Sequence, residues 1–253
     1  MIKNACVFIF IFLLKNLSYA QEFNPPTFEE RFPEERVNDT FYLLGLNLEI
    51  YDRKEHELMY NSFIKTMGNY IKFMKNNKPE GLIGKKLLCS YNYGSFINDS
   101  GKREKTTEEH GFIFIPKSTV HGDIPYVEGN LAALAFSAQK PDVNVYKHPD
   151  AGGYLNNGFF FGVNVTPAAV RLSEKKIGIE FSGLSNGGAL IDRETLSYTD
   201  IYFNPKNKIT YGKCKLYDEN MTKYFFTKQK DIMDRNIEHY QKKKAEQEKK
   251  NKI

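Results

Sequence analysis

Between residues 85 and 217 the chain alternates. The segments KKLLCSYN, GFIFIP, VNVYK, GFFFGVNV, AAVRLS, KIGIEFS and KITYGKCKLY are short and rich in β-branched and aromatic residues. NDSG, DAGG, LNNG, SNGG and NPKNK separate them, clusters that tolerate positive φ and hydrogen-bond their own backbone. Side chains of a strand point alternately to its two faces, so this pattern suits a half-buried sheet and not an amphipathic helix. Many short strands joined by tight turns predict an antiparallel β-meander, barrel-like or strongly curved. With a helix at each end, the expected fold class is α+β. GNLAALAFSAQ, which does not alternate, is expected to be a short helix.

The flanking helices are signalled differently. Asp52 with Glu55 three residues later is a capping-box-like start, and Met59, Phe63, Met67, Tyr70, Ile71 and Met74 line one face until Pro79 and Gly81 end the helix. Before it, the acidic, proline-bearing FNPPTFEERFPEER is expected to wrap onto the body, and Leu44, Leu46, Leu48 and Ile50 alternate as in a strand. After the meander, residues 218–253 are helical in composition. Met221, Phe225, Ile232 and Tyr240 are placed to dock its first half, and the lysine-rich end is a solvated extension. The expected organisation is therefore a signal peptide over 1–20, a wrapping segment and helix over 21–80, the β-meander over 81–217 and the charged helix over 218–253.

The signal peptide rests on MIKN, the apolar run ACVFIFIFLL, and Ser18 and Ala20 at the small-residue positions before a cut. The run falls short of the roughly 20 apolar residues of a spanning helix, and Lys15 interrupts it. The expected location is periplasmic or secreted. Cys6 leaves with this segment, and the remaining pair, Cys89 and Cys214, is expected to form a structural disulfide in an oxidising compartment; two buried thiols are the alternative.

Formal net charge is +5, but from Lys228 onward nine Lys/Arg stand against five Asp/Glu, and two more lysines precede residue 21. The body between is close to neutral, so no nucleic-acid face is implied. A weak contact of the basic tail with an anionic surface is the one electrostatic partner the composition suggests, and the tail's glutamates dilute it.

GLSNGG, residues 183–188, spells the nucleophile elbow G-x-S-x-G with Ser185 in the reactive place. The context opposes it. In an α/β-hydrolase the preceding strand is buried on both faces, whereas here Ile177, Ile179 and Phe181 alternate against Lys176, Gly178, Glu180 and Ser182. Asn186-Gly187 is a hairpin signal, and the sole histidine after Ser185 is His239 in the charged tail. No catalytic residue is assigned, and a serine esterase using Ser185 stays only as an alternative. HELMY has Tyr60 where a zinc-protease helix needs its second histidine, so His56 is expected on an exposed helix turn; GLIGKKLL lacks the phosphate-loop spacing. His110, His121 and His148 lie in expected loops near acidic residues, where a shared metal competes with simple solvation, and solvation is preferred. No cofactor or metal is assigned.

GKKLLC, GFIF, IDRETL and GKCKLY, over roughly residues 84 to 250, give the chain a weak resemblance to small exported β-meander proteins of bacteria with AT-rich genomes. That resemblance implies a disulfide-closed meander and carries no activity with it. The function expected is therefore an exported, non-catalytic binding or interaction protein of the cell envelope, meeting an unidentified macromolecule. A carrier of a small apolar ligand inside a barrel is the alternative.

Overall fold

Eight strands close a barrel. β1 (Lys86–Ile97), β2 (Arg103–Pro116), β3 (Leu131–Ser137), β4 (Asn164–Leu172), β5 (Lys176–Phe181), β6 (Gly187–Asp192), β7 (Ser197–Tyr202) and β8 (Ile209–Leu216) pair in chain order. Each is antiparallel to the next, and β8 returns to β1, so the closed sheet has no edge to template another chain. α1 (Phe28–Arg31) and α2 (Arg53–Asn76) precede the barrel and α3 (Met221–Lys250) comes after it. The computed structural model describes residues 24–38, 49, 51–97, 103–122, 129–138, 164–181, 187–202 and 209–250. The expected signal peptide, the strand residues Leu44, Leu46, Leu48 and Ile50, VNVYK, Ser185 and His148 lie outside the described residues.

Two cores meet at the wall of β1, β2 and β3. Inside the barrel, Leu87, Cys89 and Tyr91 of β1 pack with Phe112 and Phe114 of β2, Ile177, Ile179, Ile191, Tyr198 and Cys214. The rings of Phe112 and Phe114 find room because Ala135 and Ala133 stand directly opposite them on β3. On the outer face of the same wall, Leu88, Ile113, Ile115, Leu134 and Phe136 pack against Phe63, Met67 and Tyr70 of α2 and Met221 and Phe225 of α3. Phe136 stacks on Phe225 with centroids 5.8 Å apart and takes the edge of Phe63 at 6.1 Å. Each ring fully buried in this way contributes about 1.5–3 kcal/mol.

That double burial corrects one expectation. GNLAALAFSAQ is not a short helix: its core, Leu131–Ser137, is β3, buried on both faces from Ala132 to Phe136. A strand with two dry faces loses its alternation and reads as a continuous apolar run. β6 and β7 are two further strands that period two does not single out; β6 carries two glycines, and β7 a single alternation around Tyr198.

The N-terminal segment does wrap onto the body. Thr27 and Glu30 form a full capping box on α1, and Phe28, Phe32 and Val37 are buried. Arg53 holds the segment to α2 through the Phe32 carbonyl at 2.9 Å and Glu29 at 2.6 Å, while the Tyr60 hydroxyl donates to the Pro26 carbonyl at 2.7 Å. His56 is consequently not exposed. It is 4% exposed, with its ring 5.0 Å from Phe28 and 4.5 Å from Phe32. Asp52 caps α2 by accepting from the Glu55 amide at 2.9 Å, as the sequence predicts.

Two tight turns finish one end of the barrel. Ser173 caps the β4–β5 turn, and Asp192 Oδ1 accepts from the amides of Glu194 and Thr195 and from the Thr195 hydroxyl, which lets Leu196 adopt a φ of 55°. Arg193 ties the two turns together through the carbonyls of Ser173 and Glu174. IDRETL is thus a structural turn.

Candidate functional site

Strand alternation sends Glu108, His110, Phe112 and Phe114 of β2 to the barrel interior, where the last two join its apolar core. His110 and Glu108 do not. His110 Nδ1 lies 2.7 Å from the Tyr198 hydroxyl and Nε2 lies 3.3 Å from the Tyr91 hydroxyl, which in turn donates to Glu108 Oε2 at 3.0 Å. Desolvation pushes the imidazole down to about 4, so it is neutral at physiological pH and donates through one nitrogen only.

The direction of the chain is fixed by chemistry. A carboxylate only accepts, so Tyr91 spends its hydrogen on Glu108 and its oxygen accepts from Nε2–H; Nδ1 then accepts from Tyr198. The sequence of donation runs Tyr198 to His110 to Tyr91 to Glu108. Three aromatic faces enclose it: Tyr91 stacks on Tyr198 with centroids 5.4 Å apart, and Phe112 lies 6.5 Å from Tyr198. Tyr91 and Tyr198 are 2% and 1% exposed, so the polar chain starts deep inside an apolar wall.

It ends at a rim. Among the described residues, β2 pairs with β3 from His110 onward, opposite Ser137, and β1 pairs with β8 as far as Tyr91, opposite Gly212. Glu108 therefore lies beyond the last β2–β3 pair, at the end of the barrel opposite the two tight turns. Past this point β1 and β2 stay paired with each other, and the register shifts between Asn92 and Gly94. Bulges of this kind are concentrated at barrel rims and beside binding sites, because they re-aim the strand.

The other candidates are elsewhere. Cys89 and Cys214 face each other across β1 and β8 with their sulfurs at bonding distance and Cα atoms 3.8 Å apart. The Cys214 amide donates to Leu196 on the far side of β8, so the cysteines occupy a non-hydrogen-bonded pair, where cross-strand side chains come closest. Ser185 lies outside the described residues, but it is flanked by β5 and β6, paired antiparallel from Lys176 opposite Asp192 to Glu180 opposite Gly188. The next element after β5 is thus a strand, whereas a nucleophile elbow requires a helix there. His121 is exposed after β2, where its amide donates to Thr66 Oγ1 and its carbonyl accepts from Ser62. His110 is not a solvated loop residue as expected from EEHGF, and it does not meet His121. Among the described residues no group of three His, Cys, Asp or Glu side chains is placed to hold a metal ion. Sequence reasoning missed Tyr91, Tyr198 and Glu108 altogether; period two placed Tyr91 on the face of Cys89, a signal too general to single it out.

No helix among the described residues is long and apolar enough to cross a membrane. Comparison of the chain with protein-family models, with curated proteins and with solved structures finds no match in any of the three.

Proposed function

We propose that the protein is an exported, non-catalytic binding protein that holds a small, mainly apolar ligand at the rim of its barrel. The observation that carries this reading is the directed chain Tyr198–His110–Tyr91–Glu108, set among aromatic rings and running from the barrel interior to its rim. Buried polar groups are costly unless they are hydrogen-bonded, and an apolar filling would stabilise this part of the interior at least as well. Ligand sites combine an apolar, aromatic lining with a few fixed polar groups, and an eight-stranded barrel is wide enough for one small molecule. A non-catalytic role is favoured by His110 itself. With its proton affinity near 4, it is poorly matched to general-base chemistry at neutral pH, which works best when the pKa lies near the operating pH. Export is supported by the disulfide and by the pattern of residues 1–20.

The chain has 16 Tyr and no Trp, so its emission is that of tyrosine, and Tyr91 and Tyr198 contribute to it. Screening a library of small molecules by thermal shift, with tyrosine-fluorescence titration and native mass spectrometry of the hits, is expected to find ligands that bind one per chain. Their affinity should fall in Tyr198→Phe while the variant keeps its far-UV circular dichroism. A screen with no ligand, combined with crosslinking of the protein to an envelope macromolecule in cells, would replace this reading with the macromolecular one.

A further inference from the structure

We infer that the end of the barrel carrying the tight turns is a self-docking surface, on which a second copy of the chain binds through a ring of leucines. The register places the ring. Leu131 stands opposite Pro116 in the last β2–β3 pair, Leu172 opposite Ile177 in the last β4–β5 pair, and Leu216 opposite Leu87 where β8 meets β1. Leu196 lies in the β6–β7 turn and Leu82 in the turn before β1, so all five are at one end. The three strand leucines share the inward faces of Ala133, Val170 and Cys214, two residues away, and with them the interior stops. Leu82, Leu131 and Leu196 plug the mouth by packing on the interior core, whereas Leu172 and Leu216 are 52% and 61% exposed. β4 and β8 are half the barrel apart, so these two stand on opposite sides of the plug. A single exposed leucine is ordinary on a protein surface; two set around three half-buried ones form a patch, and such patches mark contact sites.

This end is open and rigid. α3 does not fold over it: the helix leaves it and runs toward the opposite rim, with Met221 against Gly111 and, further along, Lys228 on Glu109. The connections around the leucines are held in place. Asp192 caps the β6–β7 turn, Arg193 ties that turn to the carbonyls of Ser173 and Glu174, and Lys86 Nζ donates to the carbonyls of Asp218 and Glu219. A surface already fixed loses little conformational freedom when a partner arrives.

Charge selects the partner. Glu174 precedes Lys175, Glu194 follows Arg193, and Asp218 stands three residues after Lys215, so each of these three connections carries both signs, and all six side chains are exposed. An anionic lipid surface or polyanion would meet a carboxylate beside each cation. A two-fold contact instead sets the patch against its own copy, where residue i meets j and j meets i, and a rim of mixed sign is complementary to itself. An apolar centre within a polar rim is also the anatomy of a protein interface. Segments 80–86, 172–176, 192–197 and 215–219 together supply the roughly 20–30 residues a side that a standard interface engages. The contact lies opposite Glu108, so pairing leaves the proposed ligand rim of each copy free.

Analytical ultracentrifugation of the full chain is expected to show dimers by about 100 μM, where a micromolar contact is nearly saturated. Leu172→Glu and Leu216→Glu should each weaken the dimer by about 10-fold or more, because each leucine is used twice across a two-fold axis and the new carboxylate would be buried there. Leu58→Glu, at an exposed leucine of α2, is the control and should leave association unchanged; circular dichroism and melting curves check that all three variants fold. Association should change little between about 0.05 and 0.5 M salt, because apolar burial and not net charge drives it. A chain still monomeric at about 100 μM, a dimer that survives both leucine substitutions, or one that salt dissolves overturns the inference. So does a monomer that floats with phospholipid vesicles and ceases to do so in Leu172→Glu, which would assign the leucines to a membrane surface.

Discussion

Among the described residues two imidazoles are withdrawn from water, in different parts of the architecture and for different reasons. His110 sits in the barrel as the middle of a hydrogen-bond chain; His56 sits under the N-terminal segment, with Nδ1 2.6 Å from the Tyr51 hydroxyl. Desolvation pushes each down to about 4 from the ordinary 6.5, and for His56 the Arg53 charge adds to it. An unfolded chain therefore binds two protons between about pH 6.5 and pH 4 that the folded chain refuses. The stabilisation from their neutral forms is present above that window and is lost as pH falls through it, on the order of 3 kcal/mol for each histidine. Urea unfolding between about pH 7 and pH 4 should show this slope, and His56→Asn with His110→Asn should flatten it. An unchanged slope in the double variant would move the acid sensitivity elsewhere. Glu109 acts in a lower window: burial would raise its carboxyl, but hydrogen bonds from Lys228, Tyr224 and Ser90 outweigh that and hold it below the carboxylate range.

At the scale of elements, α3 meets the barrel at Phe136 of β3, on which Phe225 stacks, and at a short stretch of β2. Glu109 takes Tyr224 and Lys228 on its outward face, and the next outward residue is Gly111, where a Cβ would overlap the Phe225 ring and the Met221 sulfur. The close approach of helix to sheet needs that glycine. Gly111→Ala should destabilise the protein by about 1–3 kcal/mol through overpacking, measured by urea unfolding, and should lower the protection of α3 amides in hydrogen exchange before that of β2. A neutral substitution would show that the helix can slide. The far half of α3 is different in kind. The residues after Tyr240 include six lysines and two glutamates, and those with described side chains are exposed. Truncation after Tyr240 should change stability by no more than about 0.5 kcal/mol. If the full chain binds anionic vesicles at low salt, the truncated chain should lose that binding, because screened, exposed charge is all the segment contributes.

The whole molecule is a closed sheet with one wall lined on both sides. Closure depends on the pairing of β1 with β8, and the disulfide lies within that seam, joining residues separated by 125 positions. Constraining so long a loop in the unfolded chain is worth at most about 5 kcal/mol in the loop-entropy model. Reduction, or Cys214→Ser, should therefore destabilise by about 2–5 kcal/mol, and intact mass before and after reduction should differ by about two hydrogens. A chain equally stable when reduced would show that the two cores hold the seam alone. The wall of β1, β2 and β3 is where they meet, with Phe112 and Phe114 on one side and Ile113 and Ile115 on the other.

The amino-acid order by itself determined whatever depends on neighbours along the chain. Ile177 and Ile179 alternate with Gly178 and Glu180 because β5 has one dry face and one wet one, Asp52 caps α2 from three residues away, and an even pair of cysteines lies beyond residue 20. Where burial came from both sides the local pattern vanished, so β3 reads as an undivided apolar run, and His56 reads as exposed because its cover, Phe28 and Phe32, precedes it by more than twenty residues. The candidate site was hidden for the same reason. Tyr91 is 19 positions from His110 and Tyr198 is 88, and nothing in EEHGF or LSYTD marks them as partners. Periodicity fixes which way a side chain points from its own strand; only the register of eight strands around a closed barrel decides which inward-pointing side chains meet.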